Sequence, residues 1–151
     1  MITIEIPVKS HIKKYLSRKH GSVCQISKKT FIGLFLCEML EKDIEKSNPF
    51  PGDHYEVVVP EYYFNKKGYM ISQAKLRTIG LSFETLFTND FLHFVDNKLL
   101  EGNMNAYQSV VLFLKLYQIK EDELKLESMY RKYQRYCGEN IKEKKQSLVS
   151  C

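Results

Sequence analysis

The sequence has no tryptophan, no internal repeat, no low-complexity tract and no long hydrophobic run. Its longest apolar stretch, Phe31 to Cys37, is interrupted by Gly33 and runs straight into Glu38. A bilayer span needs about 20 apolar residues, so no membrane-spanning helix is expected. The N-terminus alternates apolar and polar residues (Met1-Ile-Thr-Ile-Glu-Ile-Pro-Val) with no small-residue cleavage site after it, so no secretory leader is expected. None of the 4 cysteines is closely paired. Cys37 sits in the apolar run and Cys151 is the last residue, a pattern of reduced thiols in a cytoplasmic protein rather than a disulfide framework.

Signatures of chemistry are lacking too. His11, His20, His54 and His93 are scattered, and the cysteines lack zinc-site spacing, so no metal is expected. No G-x-x-x-x-G-K-[ST], G-x-G-x-x-G or G-x-S-x-G occurs, so no catalytic residue and no cofactor is expected. Asp53-His54 reads as a turn former. A metal-dependent nuclease needs clustered carboxylates, and Glu38, Glu41, Asp43 and Glu45 read instead as an exposed helix end.

What is present describes a globular chain. Of 151 residues, 44% are hydrophobic, 27% charged and 13% aromatic, the rings all Tyr and Phe. That suffices for one domain over residues 1–138, with a polar, lysine-rich tail at 139–151 expected to be mobile. The net charge of +5 is unevenly spread. Lys9 to Lys29 carries seven basic side chains and no acid, Glu38 to Glu61 carries seven acids against two lysines, and Lys125 to Lys145 is basic again. Basic ends around an acidic middle give an oriented field.

Periodicity predicts an α+β fold, mostly helical, with a small antiparallel sheet. Ile2, Ile4 and Ile6 alternate with polar residues and end at Pro7, which is a strand. Ser10 is placed to cap a helix to His20, stopped by Gly21, with Ile12, Tyr15 and Leu16 on one side. Ser27 is placed to cap a second helix reaching Lys46, with a stripe of Phe31, Leu34, Phe35 and Met39. Residues 47–53 are a loop. Tyr55 to Pro60 and Tyr69 to Ser72, around Asn65-Lys-Lys-Gly68, predict a β-hairpin that the N-terminal strand joins.

Three further helices and a short lead-in complete the chain. Gln73 to Ile79 is a short helix ended by Gly80. Ser82 starts another with Phe83, Phe87, Phe91, Phe94 and Val95 on one side, ended by Gly102. Asn103 or Asn105 caps the next, with Val110, Val111, Phe113, Leu114 and Tyr117 inward. After the turn Gln118 to Asp122, a last helix runs from about Glu123 to Cys137 and stops at Gly138. This C-terminal helical unit, about 82–138, has the layout of a helix-turn-helix. The same layout serves as an αα-hairpin that only completes the core.

On the last helix Leu126, Met129, Tyr130, Tyr133 and Cys137 share an apolar side. Arg131, Lys132, Gln134 and Arg135 point elsewhere, with Lys125 ahead of them. Arg and Gln can make bidentate contacts to guanine and adenine edges, while lysine neutralises phosphate. Lys13, Lys14, Arg18 and Lys19 on the first helix form a second basic cluster suited to phosphate. Tyr62-Tyr63-Phe64 with Tyr69, beside Lys66 and Lys67, reads either as cross-strand core pairs or as a base-stacking platform.

The runs Phe113-Leu-Lys-Leu-Tyr-Gln-Ile-Lys-Glu-Asp-Glu-Leu and Leu126-Glu-Ser-Met-Tyr-Arg-Lys-Tyr-Gln-Arg-Tyr resemble helix-turn-helix segments of phage and mobile-element proteins from gut-type, Bacteroides-like bacteria. Ile4-Glu-Ile-Pro-Val-Lys and Lys19-His-Gly are similar in character. The resemblance spans about a third of the chain, and Gln118 stands near the place where such turns favour glycine. It implies a DNA-binding accessory or regulatory protein whose last helix is the recognition helix. The alternative is a protein-interaction adaptor, with a protein partner or a second copy of the chain.

Overall fold

The computed structural model describes residues 2–42, 50–64 and 66–149. Its elements are β1 (Ile2–Pro7), α1 (Ser10–His20), β2 (Val23–Gln25), α2 (Phe31–Met39), β3 (His54–Val59), α3 (Glu61–Phe64), α4 (Gln73–Glu101), α5 (Ala106–Leu116) and α6 (Leu126–Val149). The class is α+β and mostly helical, as expected. The chain divides into two compact units, Met1–Leu86 and Phe87–Cys151, with the boundary inside α4 rather than at its expected start near residue 82.

The sheet of the first unit is mixed, in the order β1-β3-β2. β1 pairs antiparallel with β3, and β2 joins the other edge of β3 in parallel. Register puts Ile6 opposite Tyr55 and Ile4 opposite Val57. On this face Ile6, Cys24, Tyr55, Val57 and Val59 are buried. α1 covers its expected set, Ile12, Tyr15 and Leu16, although its N-cap is Lys9 and no side chain caps it. The Tyr55 hydroxyl donates to the Gly21 carbonyl at 2.7 Å, tying β3 to the end of α1.

The opposite face carries exposed Thr3, Glu5, Val23, Gln25 and Glu56. Glu5 lies directly across from Glu56. Like charges in that position destabilise, by an amount within the roughly 0.2–1 kcal/mol of a cross-strand pair. Replacing Glu5 by Lys is therefore expected to raise stability by up to about 1 kcal/mol, with a smaller gain at high salt. Urea titrations at two ionic strengths read it directly, and a loss of stability contradicts it.

The predicted hairpin does not form. Pro60 has no N–H to continue the ladder, and the Tyr63 N–H turns back to the Pro60 carbonyl at 3.1 Å. The N–H groups of Lys66, Lys67 and Gly68 then converge on the Tyr63 carbonyl, with Gly68 at φ +96°. The chain next meets Glu41, whose carbonyl accepts from Tyr69 and Met70, so Tyr69–Ser72 is no strand. Of the aromatic patch, Tyr63 is buried while Tyr62 and Tyr69 are exposed. Asn65 and the Phe64 side chain lie outside the described residues, as do residues 43–49, including Asp43, Glu45 and the predicted end of the second helix at Lys46.

α2 starts later than expected because Thr30, not Ser27, caps it: Thr30 Oγ1 accepts the Gly33 N–H at 3.1 Å. The helix then buries Ile32, Gly33, Leu36 and Cys37 and leaves Phe31 and Leu34 exposed. α4 runs unbroken through Gly80, because Ser82 bonds back to the Thr78 carbonyl at 2.8 Å instead of capping a new helix. Glycine is needed at position 80 for another reason: a Cβ there would sit 2.8 Å from the Pro7 carbonyl oxygen.

In the second unit Phe87, Phe91 and Val95 of α4 are buried, and Phe113 of α5 is the hub. Its ring lies 5.5, 5.2, 5.4 and 4.9 Å from those of Phe87, Phe91, Phe94 and Tyr117. Asn105 and Gln108 form a capping box at the start of α5. At its end the Gln118 N–H bonds to Lys115 O and the Ile119 N–H to Leu114 O, with Gln118 at φ +54°. This is a Schellman motif in which glutamine occupies the usual glycine position. α6 begins at Leu126, not Glu123, and continues through Gly138 to Val149, across the segment expected to be a mobile tail.

Candidate nucleic-acid interface

The orientation of α6 follows from its stripe. Met129 and Tyr133 are buried, and Leu126, Tyr130, Tyr136 and Cys137 are half-buried. Asp96 of α4 accepts from the Tyr133 hydroxyl at 2.7 Å and from the Tyr136 hydroxyl at 3.2 Å. Two phenols on one carboxylate fix the rotation of the helix about its axis, and hence which side chains face solvent. Ser128, Arg131, Gln134 and Arg135 are that outer face and line a shallow depression of about 550 Å³. Lys132 flanks it half-buried, and Lys125 is exposed just ahead of the helix.

Arg131 lies 3.4 Å from Glu127 one turn earlier, with both side chains mostly exposed. Such a pair contributes less than about 1 kcal/mol and exchanges readily with another anion. No side-chain partner of Gln134 or Arg135 is found among the described residues. The N-terminal end of α6 is acidic, with Glu121, Asp122, Glu123 and Glu127, and Glu121 Oε2 accepts the Leu126 N–H at 3.1 Å. Carboxylates suit a helix N-terminus. They repel phosphate, so the cationic surface of α6 is its middle and not its tip. The α5–α6 connection, Tyr117–Lys125, is also longer than the three- or four-residue turn of a helix-turn-helix.

The other expected cluster lies in the first unit. Lys13, Arg18 and Lys19 are exposed on α1 and Lys14 is half-buried, opposite the buried side of that helix. Each cluster is thus presented by its own unit. The Asp96 clamp was not foreseen; its signal was a carboxylate interrupting the stripe Phe91, Phe94, Val95, Leu99. Tyr107 was missed as well: it is 46% exposed and meets Tyr130 edge-on at 5.5 Å.

The clamp has a pH signature. Burial, followed by hydrogen bonds to Cys137 and Asp96, pushes the Tyr133 phenol well above its ordinary value. Burial does the same to Tyr55, with the Cys24 thiol adding to it. The native state keeps these protons when the unfolded chain has shed them. Their contribution is complete below about pH 10 and is lost as pH rises further. The urea midpoint is expected to fall as pH rises above about 10, less steeply in Tyr133→Phe. A pH-independent midpoint contradicts it.

No family model, no curated protein and no solved structure matches the chain. No described helix is long and apolar enough to cross a membrane. Among the described residues no group of three or more His, Cys, Asp or Glu could hold a metal ion. Cys24, Cys37 and Cys137 are free thiols.

Proposed function

We propose that the chain binds nucleic acid, double-stranded DNA in the first place, through the middle of α6. The observation that carries this is the outward face formed by Ser128, Arg131, Gln134 and Arg135, whose rotation the Asp96 clamp sets. Two arginines about one turn apart can grip successive backbone phosphates, and Gln134 between them can reach a base edge. Lys125 and Lys132 extend the cationic strip, and the exposed Lys13, Arg18 and Lys19 of α1 are a separate basic surface of the first unit that can take phosphate by itself. The acidic tip of α6 argues for a helix lying along the backbone instead of one entering the major groove end-on.

A gel-shift titration of a mixed-sequence duplex at 50 and 200 mM salt (concentrations of about these values) tests the reading. Arg131→Ala with Arg135→Ala is expected to weaken binding at least about tenfold and to lower the salt slope by about 2. Because both side chains are exposed, the melting temperature is expected to hold. Duplex binding unchanged in this variant, or absent in the parent protein, overturns the reading. A second reading, an adaptor that pairs with another protein or copy, is favoured by Leu100, 85% exposed beside Leu99 at the end of α4. Light scattering separates the two: a mass above the monomer that Leu100→Lys restores to the monomer supports the adaptor.

A further inference from the structure

In the first unit, rings that could have been buried stand in solvent. Phe31, the first residue of α2, is 81% exposed, and Tyr62 of α3 is 64% exposed. A chain of contacts links the two. The Tyr62 ring centroid lies 4.1 Å from that of Tyr63, and the Tyr63 hydroxyl accepts the Lys28 N–H at 3.3 Å. Lys28 in turn leads through Thr30 directly into Phe31. Tyr63 is buried and forms the floor on which the outer ring rests.

Lys28, Lys29 and Lys66 are exposed, and no partner of their ammonium groups is found among the described residues. Lys66 is anchored here through its N–H to the Tyr63 carbonyl at 3.2 Å. Glu38, further along α2, is already neutralised by Lys67 at 3.0 Å. The remaining carboxylate on α3 is Glu61, exposed and next to Tyr62.

We propose that this surface binds single-stranded nucleic acid, with bases stacking on Phe31 and Tyr62 and phosphates held by Lys28, Lys29 and Lys66. Exposed π-faces together with lysines are the elements of single-strand sites, where every base offers a face to stack. A duplex cannot use them, because its bases are already stacked on one another. A protein–protein interface also sets a polar rim around its rings; three lysines against Glu61 favour a polyanion as the occupant. The site lies in the first unit and does not depend on the α6 reading.

The test uses the full chain and a fluorescein-labelled 12-mer of thymidylate, followed by anisotropy at low and moderate salt. Phe31→Ala and Tyr62→Ala are each expected to weaken binding about fivefold to a hundredfold, and Lys28→Ala with Lys29→Ala to flatten the salt dependence. All four side chains are exposed, so circular dichroism and melting temperature are expected to stay at parental values. Glu61→Gln, which removes a charge facing the phosphates, tightens binding. Each ring substitution has the same effect in an Arg131→Ala, Arg135→Ala background as in the parent, so failure of the α6 reading and failure of this one are read separately. The inference is overturned by absence of 12-mer binding at low salt, or by binding indifferent to both ring substitutions. It is equally overturned by a self-associated state that Phe31→Ala abolishes, which makes the surface a contact between copies.

Discussion

Phe113→Ala is expected to cost about 3–5 kcal/mol, enough to remove the cooperative unfolding transition of the second unit. Phe113 is 1% exposed and stands at the meeting point of four other rings. Alanine removes the transfer free energy of a whole ring and leaves a hole that α4 and α5 cannot close. It also removes edge-to-face contacts, each contributing about 0.5–1.5 kcal/mol beyond area alone. Phe113→Leu keeps most of the volume and loses only those ring contacts, so it is expected to retain a transition at lower temperature. Differential scanning calorimetry distinguishes the two. A Phe113→Ala protein with nearly parental stability shows that the cluster is not the core of this unit.

Gly33→Ala has the second large expected effect, and its direction runs against helix propensity, which ranks alanine well above glycine. A Cβ at position 33 points into the backbone of Ser27 and lies within 2.8 Å of Thr30 Oγ1. The obstructing atoms are main chain and cap, not the end of a flexible side chain. Overpacking of this kind costs at least the usual 1–3 kcal/mol or so. Displacing Thr30 removes a cap that contributes about 1 kcal/mol more. The expected loss is about 4 kcal/mol in urea titration, and a neutral or stabilising outcome contradicts the packing described for α2.

Much of the fold was legible where one period dominates. Ile2, Ile4 and Ile6 alternate and form β1; Ile12, Tyr15 and Leu16 recur at helical spacing and are buried; Asn105 caps α5 as one of two candidates. Legibility failed where the pattern is degenerate. Phe31 to Cys37 is apolar at every position, so no period selects a face, and the choice passes to Thr30 and to the space around Gly33. Gly80 looked like a stop because a glycine required for close approach to Pro7 and one that ends a helix read alike. β2 has only three residues, Val23–Gln25, too few to show alternation. The outer face of α6 was legible because Met129 and Tyr133 mark the opposite side, whereas the Asp96 clamp joins residues 37 and 40 apart. The helix-turn-helix layout depended on a tight turn after Tyr117, and Gln118 shows how such a turn can be made without glycine while the connection that follows still runs to Lys125.

The glutamates facing each other across β1 and β3 weaken the sheet, yet they also guard it. A three-stranded sheet with one uncovered side and an outer strand is a template on which other chains can stack or zip into fibrils. Two negative charges at the centre of that side make such stacking costly before any covering element has formed during folding. Glu5→Gln, which lifts the repulsion and removes one of the two guarding charges, is therefore expected to shorten the lag time of thioflavin-positive aggregation while the native sheet gains slightly, so that solubility and stability move in opposite directions at a single residue.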